Sequence, residues 1–188
     1  PISQQLEERF VLYFMMKNNA ISHTVPGFPK ILNQGFSKIK KEAIAKEKEA
    51  KTAEKRNFYE AIQIVIDGVI NYAMNLSQEA LRKANFLEKN DPKSIQRIKE
   101  LKRISDICKK VPAYPAETLH EALSSIWITF NCIHSENANS AMSIGRLDQM
   151  LQPYFVKEMS KAQSEPERKQ IIKKSLELIG HFFLRIND

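Results

Sequence analysis

Residues 118–130, Thr118-Leu119-His120-Glu121-Ala122-Leu123-Ser124-Ser125-Ile126-Trp127-Ile128-Thr129-Phe130, leave this chain the fewest choices. Leu119, Ala122, Leu123, Ile126, Trp127 and Phe130 recur at three- and four-residue steps, the period of a helix. The segment is apolar on nearly every side, so a helix here has to be enclosed by other elements. What encloses it reads as more helix. Amphipathic spacing predicts helices over residues 3–17 (Leu6, Phe10, Phe14), from Ser37 to about residue 52, from Arg56 to about Glu88, and from Ile95 to about Lys110. The long third one carries an expected apolar face of Phe58, Ile62, Val65, Ile66, Val69, Tyr72, Ala73 and Leu76. A further helix is expected near Arg146 with a pause at Pro153. A last one follows the capping signal Ser164…Pro166 and carries Ile171, Ile172, Leu176, Leu178, Ile179, Phe182, Phe183 and Ile186. Between them lie a short turn at Ile31–Leu32 closed by Gly35, a break at Asn90-Asp91-Pro92, and an extended connector Val111-Pro112-Ala113-Tyr114-Pro115. No alternating apolar–polar run exceeds four residues. The expected class is mainly α.

Several functions are excluded early. The 188 residues hold no apolar run long enough for a membrane-spanning helix. The 5 glycines form neither GxGxxG nor GxxxxGK[ST], so no Gly-rich phosphate loop exists. Cys108 and Cys132 are too few for a disulfide framework, which together with the absence of a leader points to a reducing cytoplasm. The chain opens Pro-Ile-Ser and its last apolar helix runs to Asp188 without a cap. A piece of something larger is expected.

The net charge of +7 is concentrated. Residues 37–56 hold eight basic and four acidic side chains, and residues 82–110 hold ten and four. Such helices suit a phosphate backbone, but the mixed signs also suit a solvated helix face, and no aromatics interleave to stack on bases. A free-standing basic helical nucleic-acid-binding or interaction module is therefore the alternative reading, with the solvated face preferred.

Chemistry-bearing residues are sparse. His120-Glu121 lacks the second His of a zinc pair, and Cys132 with His134 supplies too few ligands for a metal. Cys108, beside Ile104 and Ile107, reads as a small buried hydrophobe, and Cys132 likewise. Two irregular segments stand out. Ser22-His23-Thr24-Val25-Pro26-Gly27-Phe28 sets a His between a helix end and a proline turn, where it either ties the turn down or meets a substrate hydroxyl or carboxylate. His134 to Gln149 crowds amides, hydroxyls and charges directly behind the most buried helix, with Arg146 and Asp148 placed to pair.

These two segments, with Phe58-Tyr59-Glu60-Ala61 and the stretch from Val111 to Leu123 between them, resemble the glycyl radical enzymes, the pyruvate formate-lyase-like family, over nearly the whole chain from Phe10. Ser143-Ile144-Gly145-Arg146-Leu147-Asp148-Gln149 followed by Pro153-Tyr154 is similar to the family's "GRxDQ…PY" segment. Ser22-His23-Thr24-Val25-Pro26 is similar to its "GHT" segment, with Ser22 in place of Gly. Pyruvate formate-lyase proper (formate acetyltransferase) lacks such a His-Thr-Val-Pro stretch, so the resemblance points to the cobalamin-independent diol dehydratase and lyase branch.

The resemblance implies the helical part of an α/β barrel, two antiparallel half-barrels jacketed by helices, with residues 1–188 an N-terminal-half piece of one truncated domain. It implies an anaerobic radical dehydratase or lyase for a small hydroxylated or amino substrate, homodimeric or larger. A radical SAM partner, using S-adenosylmethionine and an iron–sulfur cluster, installs the glycyl radical. No Gly-Cys-x-Glu loop and no C-terminal "RVxGY" loop occurs in this sequence, so the radical machinery is expected in the remainder of the polypeptide, and the piece alone is expected to be inactive. The resemblance assigns no catalytic residue and no metal here. It assigns substrate contacts to His23 and to Ser140 or Ser143; Phe14, a helix turn or more before the first segment, either lines the pocket or packs in the core, with core packing preferred. It implies neither a membrane nor a nucleic-acid partner.

Overall fold

The computed structural model describes residues 24–136 and 142–186. Six helices occupy most of them: α1 Phe28–Glu49, α2 Ala53–Asn90, α3 Ile95–Lys110, α4 Leu119–Glu136, α5 Leu147–Met159 and α6 Glu165–Ile186. Among the described residues the sole extended pairing is an isolated parallel bridge between Thr24 and Met142. None of these helices is long and apolar enough to cross a membrane. The expected helix over residues 3–17 lies outside the described residues.

α4 is the centre, as its sequence requires. Leu119, Ala122, Leu123 and Ile126 pack with Phe28 and Leu32 of α1, Leu151 and Tyr154 of α5 and Phe182 of α6. No residue from 119 to 134 is exposed. Amides at and just before the start of α4 find side-chain acceptors, as a buried helix end demands. Thr118 Oγ1 accepts from the Glu121 amide at 3.2 Å, Glu121 accepts from the Glu117 amide at 2.7 Å, and Glu158 of α5 accepts from the Leu119 amide at 3.0 Å. Lys110, at the end of α3, then reaches both Glu117 and Glu121 at 2.9 Å.

α2 and α3 form a long antiparallel hairpin, joined at the Asn90–Asp91–Pro92 break. Its seam is made by small residues: Ala73, Ser77, Ala80 and Ala84 repeat at helical spacing and let α3 approach closely. Ser77 Oγ donates to the Ser105 carbonyl at 2.8 Å across the seam, so the buried hydroxyl is satisfied. The expected apolar face of α2 is thus only partly right. Ile66, Val69 and Ala73 are buried, but Phe58, Val65 and Tyr72 are exposed. The small residues select the contact, and the large ones fall on another side of the cylinder.

Three further expectations are corrected. The turn expected at Ile31–Leu32 is helical, because α1 starts at Phe28 with Pro29 in its first turn. Gly35 nevertheless interrupts it, with φ 71° and ψ 159°. Val111–Pro112–Ala113 forms a buried turn at the end of α3 rather than an extended connector, although Val111 itself has an extended backbone, and the Val111–Pro112 bond is cis. Pro153 does not pause α5; it costs the helix one donor and stays inside it. The Ser164 cap is present: its Oγ accepts from the Glu167 amide at 3.4 Å, and Glu167 accepts from the Gln163 amide at 2.8 Å.

The Gly35 break locks two elements together. The amides of Phe36 and Ser37 donate to the carbonyls of Pro112 and Ala113, each at 2.9 Å, and the Ala116 amide donates to Leu32 O at 3.0 Å. A Cβ on Gly35 would sit 2.5 Å from Ala113 O and 2.6 Å from Tyr114 backbone atoms. Gly35→Ala therefore combines a left-handed backbone with a clash against main chain, and is expected to cost about 3 kcal/mol by denaturant unfolding. Gly180→Ala, with nothing within 4 Å of the new methyl, is expected to stabilise by about 0.5–1 kcal/mol in the same assay.

Candidate functional site

The two irregular segments meet through their main chains. Thr24 pairs with Met142, and the Ser143 amide donates to Thr24 O at 2.9 Å. The turn that follows is set by Ser143 and Gly145. Ser143 Oγ accepts from the Gly145 amide at 3.3 Å, and Gly145 takes φ 84° before α5 begins. Its missing Cβ would have room, 3.7 Å from Val25 Cγ1, so the backbone conformation rather than crowding calls for glycine. Arg146 folds onto Asp148 with contacts of 3.0 and 2.7 Å, holding that carboxyl down at about 2. The Arg146–Asp148 pair thus shapes the start of α5.

Behind this junction lies a cleft of about 720 Å³ between the start of α1, the 115–117 turn and α5. Val25, Pro26, Leu32, Ile144, Met150 and Tyr154 supply apolar wall, while Glu117, Arg146, Gln149 and Lys157 supply the polar groups. Lys110, and more weakly Lys157, keep the Glu117 carboxyl below its ordinary range. Of the expected site residues, Ser143 is described; its side chain is exposed and is not part of this cleft's lining. Phe14, His23 and Ser140 lie outside the described residues. The reading of the sequence missed the contribution of Pro115–Glu117, whose signal was the proline turn running into the most buried helix.

A second cleft, about 450 Å³, opens between the α2–α3 hairpin, α4 and α6, with His120, Trp127, His181 and Cys108 on its walls. Burial, helped by the charges of Arg103 and Lys174, pushes His120 down to about 4, so the ring is neutral near pH 7. Burial pushes the Cys108 thiol up to about 11, and raises Cys132 as well. These are packing thiols rather than poised nucleophiles. The His134 ring rests on Phe130, centroids 4.3 Å apart. Among the described residues no cluster of three or more metal-ligating side chains forms.

With the geometry in place, comparison with known proteins is decisive. Residues 2–188 match the family described as pyruvate formate lyase-like. The chain belongs to that family. An isethionate sulfite-lyase of Nitratidesulfovibrio vulgaris is 33% identical over 165 residues, covering 84% of this chain and 19% of that protein. The Roseburia inulinivorans structure solved in a study of 1,2-propanediol dehydration superposes with a TM-score of 0.75 at 26% identity, over 89% of this chain and 20% of that one. A glycyl radical enzyme from Archaeoglobus fulgidus superposes with a TM-score of 0.67 at 31% identity, over 92% and 23%. The chain spans about one fifth of the length of these relatives. Its helices are the helical part of the glycyl radical enzyme fold.

Membership of the family leaves the nucleic-acid alternative without support. The basic helices answer in kind: Arg82 pairs with Glu79 at 2.7 Å, Arg97 with Glu100 at 3.3 Å, and Lys102 with Glu88 across the hairpin. The charge is a solvated face laced with its own ion pairs.

The His120 environment has a measurable consequence. A folded-state value near 4, against about 6.5 for a free imidazole, means that the unfolded chain binds more protons between those limits. Stability is full above about pH 6.5 and falls on acidification toward pH 4. The fall is on the order of 2 kcal/mol at pH 4.5. Urea unfolding at pH 7 and 4.5 should show the wild type losing that much more than His120→Leu. Equal losses would remove His120 as the cause.

Proposed function

We propose that this chain is the substrate-binding helical part of a glycyl radical dehydratase or lyase acting on a small hydroxylated or amino compound. The observation that carries the reading is the Thr24–Met142 pairing, which joins the two family-like segments, in a chain whose relatives include an isethionate sulfite-lyase and a protein studied for 1,2-propanediol dehydration.

His23 and Ser143 are the proposed substrate contacts, with Phe14 as wall; Ser143 is chosen over Ser140 because its amide donates to the carbonyl of Thr24, the residue next in sequence to His23. His23 would give a proton to the departing hydroxyl oxygen, chemistry that an imidazole can carry. Ser143 has its lone pair engaged by the Gly145 amide, so its own O–H is left to hold a second substrate oxygen.

Cys108 and Cys132 do not fit the thiol relay of a radical enzyme, being helical, buried or half-buried, and pushed up by burial. The glycyl radical, installed by a radical SAM activase, supplies hydrogen-atom abstraction in such enzymes, and its residues belong to the rest of the polypeptide. A cytoplasmic, anaerobic setting accompanies this reading.

Two measurements test it. In the source cell the polypeptide is expected to be several times heavier than 21.7 kDa; a native 188-residue species would overturn the assignment. In that polypeptide, activated anaerobically and offered 1,2-propanediol, glycerol, isethionate and trans-4-hydroxyproline, His23→Ala should lower turnover by about 10²–10⁴-fold with the radical signal intact. Ser143→Ala should raise KM, and Ser140→Ala should change neither. Undiminished turnover in His23→Ala would sink the site.

A further inference from the structure

Ser143 is exposed, yet it is tied at both its main chain and its side chain. Its amide donates to Thr24 O at 2.9 Å, and its Oγ accepts from the Gly145 amide at 3.3 Å. The residue between, Ile144, is partly buried and packs against the central core cluster. A serine hydroxyl on an exposed segment is otherwise free to visit three staggered rotamers. Here the amide two residues on selects one of them.

The backbone that follows brings that amide into place. Gly145 has φ 84°, and Arg146 has φ −80° and ψ 77°. The Leu147 amide donates to the Gly145 carbonyl at 3.0 Å, which makes Arg146 the centre of an inverse γ-turn behind a left-handed residue. These two residues carry the chain from the Met142–Ser143 segment into α5. Beyond them α5 is fixed, because Leu147 packs on the core cluster and Leu151 and Tyr154 are buried in it. A residue that pulls position 145 toward negative φ therefore cannot shift α5. The adjustment falls on the exposed side, where the 3.3 Å contact to Ser143 is longer than an ordinary amide hydrogen bond. Crowding does not enter: a Cβ on Gly145 meets Val25 Cγ1 at an ordinary 3.7 Å.

We propose that Gly145 is a positioning residue for substrate, its left-handed backbone fixing the Ser143 hydroxyl in the rotamer that meets a substrate oxygen. The Gly145 amide engages a lone pair of Ser143, and the O–H remains to donate, so the group it suits is an acceptor oxygen. The inference rests on the reading of Ser143 as a substrate contact.

A double-mutant cycle in the intact polypeptide tests it. Affinity is read as Kd by calorimetry before activation and as KM after anaerobic activation, using whichever of 1,2-propanediol, glycerol, isethionate and trans-4-hydroxyproline is turned over. Gly145→Ala should raise both by about 3–10-fold, the effect of one hydrogen bond, with kcat unchanged. In Ser143→Ala, which has no hydroxyl to place, adding Gly145→Ala should change neither. Gly145→Asn, whose side chain tolerates positive φ, should fall between glycine and alanine, and it carries the cycle if the alanine variant does not fold. Effects that simply add in the double variant, or wild-type affinity in Gly145→Ala beside a weakened Ser143→Ala, would overturn the inference and leave the Ser143 reading standing. Wild-type affinity in Ser143→Ala would overturn both.

Discussion

The interruption of α1 at Gly35 is the constraint on which the rest of the arrangement depends. A single residue with φ 71° turns a helix interior into two helix ends, and the groups it frees are satisfied by one partner segment. The 112–116 turn accepts from Phe36 and Ser37 and donates to Leu32, while the Tyr154 hydroxyl reaches Leu32 O at 3.4 Å. Four hydrogen bonds thereby tie α1, the α3–α4 turn and α5 into one block. Main chain lies so close to Gly35 that no side chain fits. The first cleft is the space these three elements leave between them.

The same block fixes the direction of α4. Its first amides are held by Thr118, Glu121 and Glu158, and Lys110 balances the carboxylates gathered there. A helix as apolar as α4 has many ways to lie in a core, since apolar contact alone is non-directional. Polar groups at its start select one of them, and with it the place where Glu136 hands the chain toward the Met142–Arg146 segment.

Much of this was legible in the sequence, and what was not had identifiable causes. The central helix, the hairpin of α2 and α3 and the cap at Ser164 follow from periodicity and local chemistry, which act over a few residues. The buried face of α2 is not the one its large apolar residues suggest: Phe58, Val65 and Tyr72 are exposed. The seam uses Ala73, Ser77, Ala80 and Ala84, whose value lies in what they omit and shows only when α3 is beside them. Pro153 inside α5 and the turn at Val111–Ala113 were misread for a related reason: local rules assign a cost to proline, and tertiary packing decides whether the cost is met. Of the candidate site, the two segments were legible as motifs. The way they join was not, because a main-chain pairing between Thr24 and Met142 leaves no trace in side-chain pattern.

Thr24 and Met142 are separated by well over half the chain, so joining them closes a long loop, and the entropic cost of closure grows with loop length. The helices between them draw on their own caps and core clusters. A ligand held across the two segments would add to what keeps the loop closed, and amide exchange at Ser143, whose N–H donates to Thr24 O, would slow on binding while exchange within α4 stayed as it was.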